Sequence, residues 1–184
     1  MSTSHTSIKF VERHILQFSD GTQIVNPRFF YKACEGYGFA VGHRFAGVGS
    51  GSSVDIYFEN PPGSGRKIYI VTITVTAFDQ VWIDIYRGNT VTAHGTSLTP
   101  VNLNFEKNIP SVALVEYGGS YTLGNLALDD LCPGGSKKEA VGGRAEVGET
   151  VIMPEGYNFL VRVTNKSASS TDIAIRILWW EETI

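Results

Sequence analysis

Four histidines are the residues of this chain best suited to acid–base or metal chemistry. They are His5, His14, His43 and His94, which lie far apart, and only His43 falls inside an apparent strand. A catalytic triad or a metal site needs a carboxylate or a cysteine next to the imidazole, and no motif in the sequence supplies one. We therefore expect no catalytic or ligating histidine, and the chain is predicted not to be an enzyme.

The acidic pair Asp129-Asp130, in "LALDDLCPGG", is the one candidate for a metal site. Placed in a turn, the two carboxylates could hold a calcium ion together with backbone oxygens. Isolated acidic pairs more often solvate a turn, and no EF-hand or Gly/Asp repeat accompanies this one. We expect no cofactor and no metal, with Asp129 and Asp130 kept as weak candidates.

Other short motifs also favour structural roles. The glycine-rich "GVGSGSS" leads into a strand and not into the N-terminus of a helix, so it lacks the free amides of a phosphate cradle. Asn165-Lys166-Ser167 matches a glycosylation sequon by chance at a strand end. Cys34 and Cys132 have no partner at metal or redox spacing, which favours free thiols, with a bridge between them as the alternative.

Composition limits the class of protein. The chain has 184 residues, of which 42% are hydrophobic and 18% charged, with a formal charge of −3. These values fit one folded domain and give no reason to expect a nucleic-acid partner. The opening "MSTSHTSIKF" lacks the apolar region of a signal peptide, and no run reaches the ~18 residues of a membrane span. We expect synthesis in the cytosol and no membrane partner.

Period-two alternation of apolar residues is the dominant pattern, and it predicts the elements that position these side chains. It runs through the segments "SVDIYFEN", "KIYIVTITVTA", "VWIDIYR", "VNLNF", "VALVEY", "YNFLVRVTN" and "DIAIRILWWE". Such segments are typical of half-buried strands, and all seven prolines fall between them. Eight or nine strands at this spacing predict an all-β antiparallel two-sheet sandwich of jelly-roll type.

Two stretches do not fit a sandwich. Residues 1–35 are irregular and end in the aromatic cluster "PRFFYKAC"; they predict an N-terminal arm, with a small hairpin around Asp20-Gly21 as another interpretation. Residues 132–149 form a glycine-rich loop of mixed charge. We therefore divide the chain into an arm, 1–35, and a sandwich domain, 36–184.

The order of these features resembles a known class of proteins. The segments that carry the likeness are "FENPPGSGRKIYI" and "MPEGYNFLVRVTN", the second followed by the strand that contains both tryptophans. They are similar to the small β-sandwich structural proteins of tailed phages and related viruses, which decorate capsids or build tail and fibre surfaces. The resemblance covers residues 36–182. It implies a homo-oligomer, with a trimer favoured, that joins other virion proteins in the particle without cofactor or catalysis.

On this hypothesis the aromatic residues make oligomer or assembly contacts. Trp179 and Trp180 alternate sides of the last strand, so one of them must cover a sugar, an arm, another subunit or a loop of its own chain. The contact candidates are Phe29, Phe30, Tyr31, Trp179 and Trp180. We expect the arm either to dock on a neighbouring subunit by strand addition or to close over its own sandwich.

Two other functions are alternatives to a structural protein of a virion. A carbohydrate-binding, lectin-like module would use Trp180, Tyr86 and Trp82 as a stacking platform, with calcium at Asp129-Asp130. An enzyme on a sandwich would need a polar cluster that the sequence does not display. In the structural hypothesis "MPEGYNFLVRVTN" is a brace: alternate side chains from Tyr157 to Val163 pack inward or against a neighbour, and Asn165 caps the strand end.

Overall fold

The computed structural model describes residues 28–134 and 151–184 in full, together with the backbone of four short strands outside these ranges. The first elements are β1 (Lys9–Val11), β2 (Ile15–Gln17), β3 (Gln23–Val25) and the helix α1 (Arg28–Glu35). The strands that follow are β4 (Gly38–Val48), β5 (Ser53–Asn60), β6 (Arg66–Ala77), β7 (Val81–Arg87), β8 (Thr90–Ala93), β9 (Thr96–Ser97), β10 (Val101–Asn102), β11 (Leu114–Tyr117), β12 (Ser120–Thr122), β13 (Asn125–Cys132), β14 (Gly143–Val147), β15 (Val151–Met153), β16 (Tyr157–Asn165) and β17 (Thr171–Thr183).

Two large antiparallel sheets form the sandwich. Sheet I orders its strands β10-β4-β17-β6-β14, with β15 also paired to β6, and sheet II orders them β13-β7-β16-β5-β11-β9. Along the chain β4, β5, β6 and β7 alternate between the sheets, and the later strands β13, β14–β15, β16 and β17 alternate in the reverse order. This is the strand order of a jelly roll, so the predicted two-sheet sandwich is confirmed.

The core lies between the sheets and is built from the predicted inward positions. On β17 the alternate residues Ile173, Ile175, Ile177 and Trp179 are all buried. Phe58 lies edge-on to Trp179, with ring centroids 5.0 Å apart, and joins the two sheets at the centre. Each large apolar side chain buried in this way stabilises the fold by about 1.5–3 kcal/mol before the entropy of ordering is subtracted.

The strand β16 acts as the predicted brace. Phe159, Val161 and Val163 are buried in the core, whereas Tyr157, at the start of the strand, is exposed. Asn165 is buried at the other end, where its amide nitrogen donates to the carbonyl oxygens of Val48 and Ser169, each at 2.8 Å. The predicted role of Asn165 at the strand end is therefore confirmed.

A long insertion between β7 and β13, residues 88–124, covers one side of the sandwich. Its short strand β10 pairs with β4, and β11 pairs with β5, so the insertion extends both sheets. The two-stranded ribbon of β8 and β12 lies over the outer face of sheet II, where Tyr121 stacks on Tyr57 with ring centroids 5.2 Å apart. The segment "VNLNF" is strand only at Val101–Asn102, because the chain then turns.

The N-terminal segment contains structure that the periodicity did not predict. Residues Arg28–Glu35 form a helix that packs against β4 and β17 of the same chain. Pro27 precedes it, and Gly36 follows it with a positive φ of 89° and an amide that donates to the carbonyl oxygen of Ala33. Before it, β1, β2 and β3 form a separate antiparallel sheet, in which β2 and β3 pair on either side of Asp20-Gly21.

Candidate interaction surface

A group of exposed apolar side chains lies on β13 and its neighbour β7. Leu126 and Leu131 on β13 and Trp82 on β7 are each about half exposed, and Leu131 pairs directly with Trp82 across the two strands. Among the described strands only β7 pairs with β13, which therefore presents the backbone of its second side at the edge of sheet II. We call this surface, β13 with Trp82, the β13 edge.

A row of charges crosses the same face. Asp129 pairs with Asp84, which pairs in turn with Arg162 on β16. The guanidinium of Arg162 binds Asp55 with two hydrogen bonds of 2.9 and 2.7 Å, and this bonding, opposed by burial, raises the pKa of Arg162. Neither Asp84 nor Asp129 has an ion-pair partner among the described residues. Like charges directly opposite each other are unfavourable, so this edge favours a cationic partner.

The predicted turn at Asp129 and Asp130 is wrong, because both residues lie inside β13. Successive side chains of a strand point to opposite faces, which separates the two carboxylates. The carboxylate of Asp130 instead accepts the backbone amide of Leu131 at 2.7 Å. No three histidine, cysteine or carboxylate side chains converge within the described part of the chain.

Trp82 keeps a position that suits binding. Its indole is half exposed, and the ammonium group of Lys166 lies 3.9 Å from the ring centroid, where it makes a cation–π contact. Tyr86 stands on the same face of β7, four residues further along. Two of the three proposed platform residues are thus on one surface.

Trp179 and Trp180 are both buried by their own chain. Trp179 lies in the core, and Trp180 is on the outer face of sheet I, where it stacks flat on Tyr69 at 3.8 Å between ring centroids. Helix α1 covers this pair, with the guanidinium of Arg28 4.7 Å from the Trp180 ring. Of the alternatives for the outward tryptophan, the structure shows cover by the same chain. Trp180 cannot join Trp82 on a sugar platform, and neither indole is on the surface for an oligomer contact.

The aromatic residues of α1 are placed differently. Phe30 is more than half exposed and Tyr31 is partly exposed, whereas Phe29 is intermediate. Phe30 and Tyr31 therefore remain available for the predicted assembly contact. The two cysteines are free, Cys34 exposed on the helix and Cys132 buried at the end of β13.

A buried polar cluster under the ribbon escaped sequence reasoning. Glu116 on β11 is buried and accepts hydrogen bonds of 3.1 Å from the hydroxyl of Tyr121 and from Nδ1 of His94. Burial first, and then the nearby carboxylates, raise the pKa of Tyr121 and of Tyr57 far above the ordinary value of 10.0. The bond between Tyr121 on β12 and Glu116 on β11 ties the ribbon to the sheet.

No helix among the described residues is long and apolar enough to cross a bilayer. No model of a known protein family matches the chain, and no curated protein matches it. A function for this chain has to be inferred from its own surfaces.

Proposed function

We propose that this jelly roll is a non-enzymatic structural subunit of a viral particle, which self-associates and decorates or stabilises the particle. The observation that carries the proposal is the β13 edge, an eight-residue strand with exposed leucines and an unpaired side. Long exposed edges are an aggregation hazard that folded proteins normally cover. A long edge strand with exposed leucines fits a protein that binds other proteins.

The other side of the sandwich supports this assignment by contrast. There the insertion adds β10 to β4 and β11 to β5, which leaves only two-residue strands, β9 and β10, at the ends of the sheets. Short terminal strands are a common protection against unwanted pairing. Among the described strands, the chain thus covers one side of the sandwich and leaves β13 of sheet II and β14 of sheet I as the terminal strands on the other.

The charges of the β13 edge favour a different virion protein as its partner over a second copy of the same edge. Asp129 and Asp130 are consecutive residues of β13, so antiparallel pairing of two such strands centred on them would bring carboxylates of both copies together. A strand of another virion protein that carries Lys or Arg would pair with them. Self-association, with a trimer favoured, then uses other surfaces, among them residues 1–35. The subunit would be made in the host cytoplasm and located in the virion.

The experiment measures self-association and particle incorporation separately. Light scattering of the purified chain should give a discrete oligomer, and a monomer at tens of micromolar would remove the self-association part. Leu126→Lys with Leu131→Lys should keep that oligomer but lose incorporation into particles, read by mass spectrometry of purified particles. The matched control is Thr76→Lys, an exposed position on the outer face of sheet I. Equal incorporation of both variants would contradict the role of the β13 edge.

A carbohydrate-binding module is the second candidate, and one specific observation favours it. Trp82 and Tyr86 share a face of β7 with Asp84, and an aromatic ring beside polar groups is the arrangement that stacks and orients a sugar. Titration of the chain with glycans, followed by isothermal calorimetry, tests this function. Binding that Trp82→Ala abolishes, while the oligomer is unchanged, would favour it over the structural role.

A further inference from the structure

A phenylalanine on a hydrogen-bonded turn contributes little to the packing of the sandwich. Phe105 follows β10 and is 88% exposed, more than any other large hydrophobic residue in the described part of the chain. Leaving a ring of this size in water forgoes the free energy that its burial would contribute. A single exposed apolar residue is common on surfaces, so the case depends on how the turn is held.

Two asparagines hold this turn by side-chain hydrogen bonds. The side-chain oxygen of Asn104 accepts a hydrogen bond from the backbone amide of Glu106 at 3.1 Å. The side-chain oxygen of Asn102 accepts one from the backbone amide of Asn104 at 2.9 Å. The backbone amide of Lys107 donates to the backbone carbonyl oxygen of Asn104 at 3.0 Å. The side-chain amide of Asn104 donates to the backbone carbonyl oxygen of Cys34, near the end of α1, at 2.7 Å. Phe105 is therefore displayed in a fixed direction, and its burial by a partner would cost little ordering entropy.

A groove of the right size and lining lies next to this turn. It has a volume of about 240 Å³ and lies between β4 and the segment that leads into the turn. A closed apolar cavity of about 150 Å³ holds a benzene molecule, so the groove has room for a phenyl ring. Its lining includes Ala40, Gly42, Leu98, Val101, Leu103 and Arg176.

The charges of the turn and of the groove are complementary. Arg176 is exposed at the groove and has no ion-pair partner among the residues that the structure describes. Glu106 is exposed beside Phe105 and likewise makes no ion pair in that part of the chain. When the ring enters a groove, the guanidinium of Arg176 can contact both the ring face and the carboxylate of Glu106.

From these observations we infer that Phe105 of one copy of this chain inserts into the groove of a second copy, with Glu106 paired to Arg176. The inference rests on the self-association in the proposed function and names its contact. The ring and the groove lie next to each other on one surface of the protein, so each copy can give one and receive the other. When the insertion is reciprocal, this contact closes a pair of copies about a two-fold axis, and when it is not reciprocal, it closes into a ring of subunits if its rotation allows. It also leaves the β13 edge free for a different protein.

Three variants test the contact in the full chain by light scattering and sedimentation. Phe105→Ala removes the ring and should weaken self-association about 30-fold or more, as for a central aromatic anchor. Gly42→Phe fills the groove from its own strand with the same result. A Cβ fits there in ordinary van der Waals contact, because on Gly42 it would come no closer than 3.6 Å to the carbonyl oxygen of Ile175. The matched control is Phe78→Ala, which removes a phenylalanine that is 63% exposed in another loop and should leave the oligomer intact.

A charge exchange decides between a direct contact and a loss of fold. Glu106→Arg and Arg176→Glu should each weaken self-association, and the double variant should restore it. An oligomer that persists in both Phe105→Ala and Gly42→Phe overturns this inference and leaves the proposed self-association standing. If those variants keep the oligomer but lose incorporation into particles, Phe105 binds another virion protein, which also overturns it. A wild-type chain that is monomeric overturns the self-association itself.

Discussion

The buried carboxylate of Glu181 lies 2.7 Å from the guanidinium of Arg66 near the end of β17. It also accepts the hydroxyl of Ser111 at 2.5 Å, the backbone amide of Val112 at 3.1 Å and Nε1 of Trp179 at 3.2 Å. One side chain therefore joins the neighbouring strands β6 and β17 of sheet I, the insertion and the central tryptophan. Such a carboxylate is tolerable in the interior only because every lone pair is used.

Removing the cation of this pair should destabilise the fold. Arg66→Met leaves a buried charge without its counter-ion, and we expect the free energy of unfolding to fall by about 3 kcal/mol. Urea unfolding followed by tryptophan fluorescence measures the loss. The control is Arg44→Met, an exposed arginine on β4, for which a change within about 0.5 kcal/mol is expected. Equal losses for the two variants would contradict the role given to Glu181.

Asn165 should be nearly as sensitive, because its buried side chain donates to two backbone carbonyls, and the one of Val48 lies in the interior. Asn165→Ala leaves the carbonyl oxygens of Val48 and Ser169 without that donor, and an unmet buried acceptor costs about 1–3 kcal/mol. We expect a lower urea midpoint with an unchanged slope. Asn108→Ala, at an exposed asparagine, is the control and should have the wild-type midpoint. A wild-type midpoint in Asn165→Ala would show that water replaces the amide at no cost.

Much of this could be predicted from the sequence, because a sandwich strand shows its inward face as a period of two. The alternation from Ile173 to Trp179 predicted the buried face of β17, and the same holds for Val81, Ile83 and Ile85 on β7. The pattern failed where a distant segment covers an outward face. By alternation Tyr57 lies on the outward face of β5 and should be exposed to solvent, yet Tyr121 from the insertion stacks on it. Nothing local to either residue encodes that contact.

Short secondary-structure elements were the other features that the sequence pattern did not predict correctly. Helix α1 spans eight residues, too few for a helical period to show against irregular neighbours, although Pro27 and Gly36 marked its two ends. In "VNLNF" the alternation of Val101, Leu103 and Phe105 predicted a strand. The side chains of Asn102 and Asn104 instead bond to the local backbone and end the strand, as asparagines do at turns. The exposed ring of Phe105 follows from that competition.

The two stacked tyrosines that join the ribbon to sheet II should make the protein sensitive to alkali. Burial and nearby carboxylates raise the pKa of Tyr57 and Tyr121 above the 10.0 of an unfolded chain. A raised pKa in the folded state contributes stability that is fully present below pH 10 and is lost as the pH rises above it. In Tyr57→Phe with Tyr121→Phe the free energy of unfolding should fall less between pH 9.5 and pH 11, as measured by urea midpoints. The exposed Tyr157→Phe is the control and should follow the wild type.

Acid should act at the opposite face, where α1 meets sheet I. Burial works to raise the pKa of Glu182, but hydrogen bonds from Arg28 and Tyr69 outweigh it, and the net result is a pKa below the ordinary 4.5. A lowered pKa contributes stability that is present above pH 4.5 and is lost as the pH falls through the folded value. Arg28→Met should therefore flatten the decline of the urea midpoint below pH 4.5. A decline as steep as that of the wild type would mean that Arg28 does not hold the carboxylate.

The last prediction separates the helix from the residues before it. Strands β1–β3 pair with neither large sheet, whereas α1 packs on β4 and β17 and covers Trp180. Deleting residues 1–27 should thus leave the stability of the sandwich unchanged. Deleting residues 1–35 removes the cover from Trp180 and Tyr69 and should lower the free energy of unfolding by several kcal/mol, on the order of the burial of two aromatic rings.

Fluorescence quenching reads this difference directly. In a Trp82→Phe background the remaining tryptophans are Trp179 and Trp180, both buried in the full chain. Acrylamide should quench the 1–35 deletion strongly and the 1–27 deletion no more than the full chain. Equal quenching of both deletions would mean that α1 does not cover Trp180. Loss of the oligomer in the 1–27 deletion, with the sandwich intact, would support docking of this segment on a neighbouring subunit. An unchanged oligomer would leave the Phe105 contact to account for self-association alone.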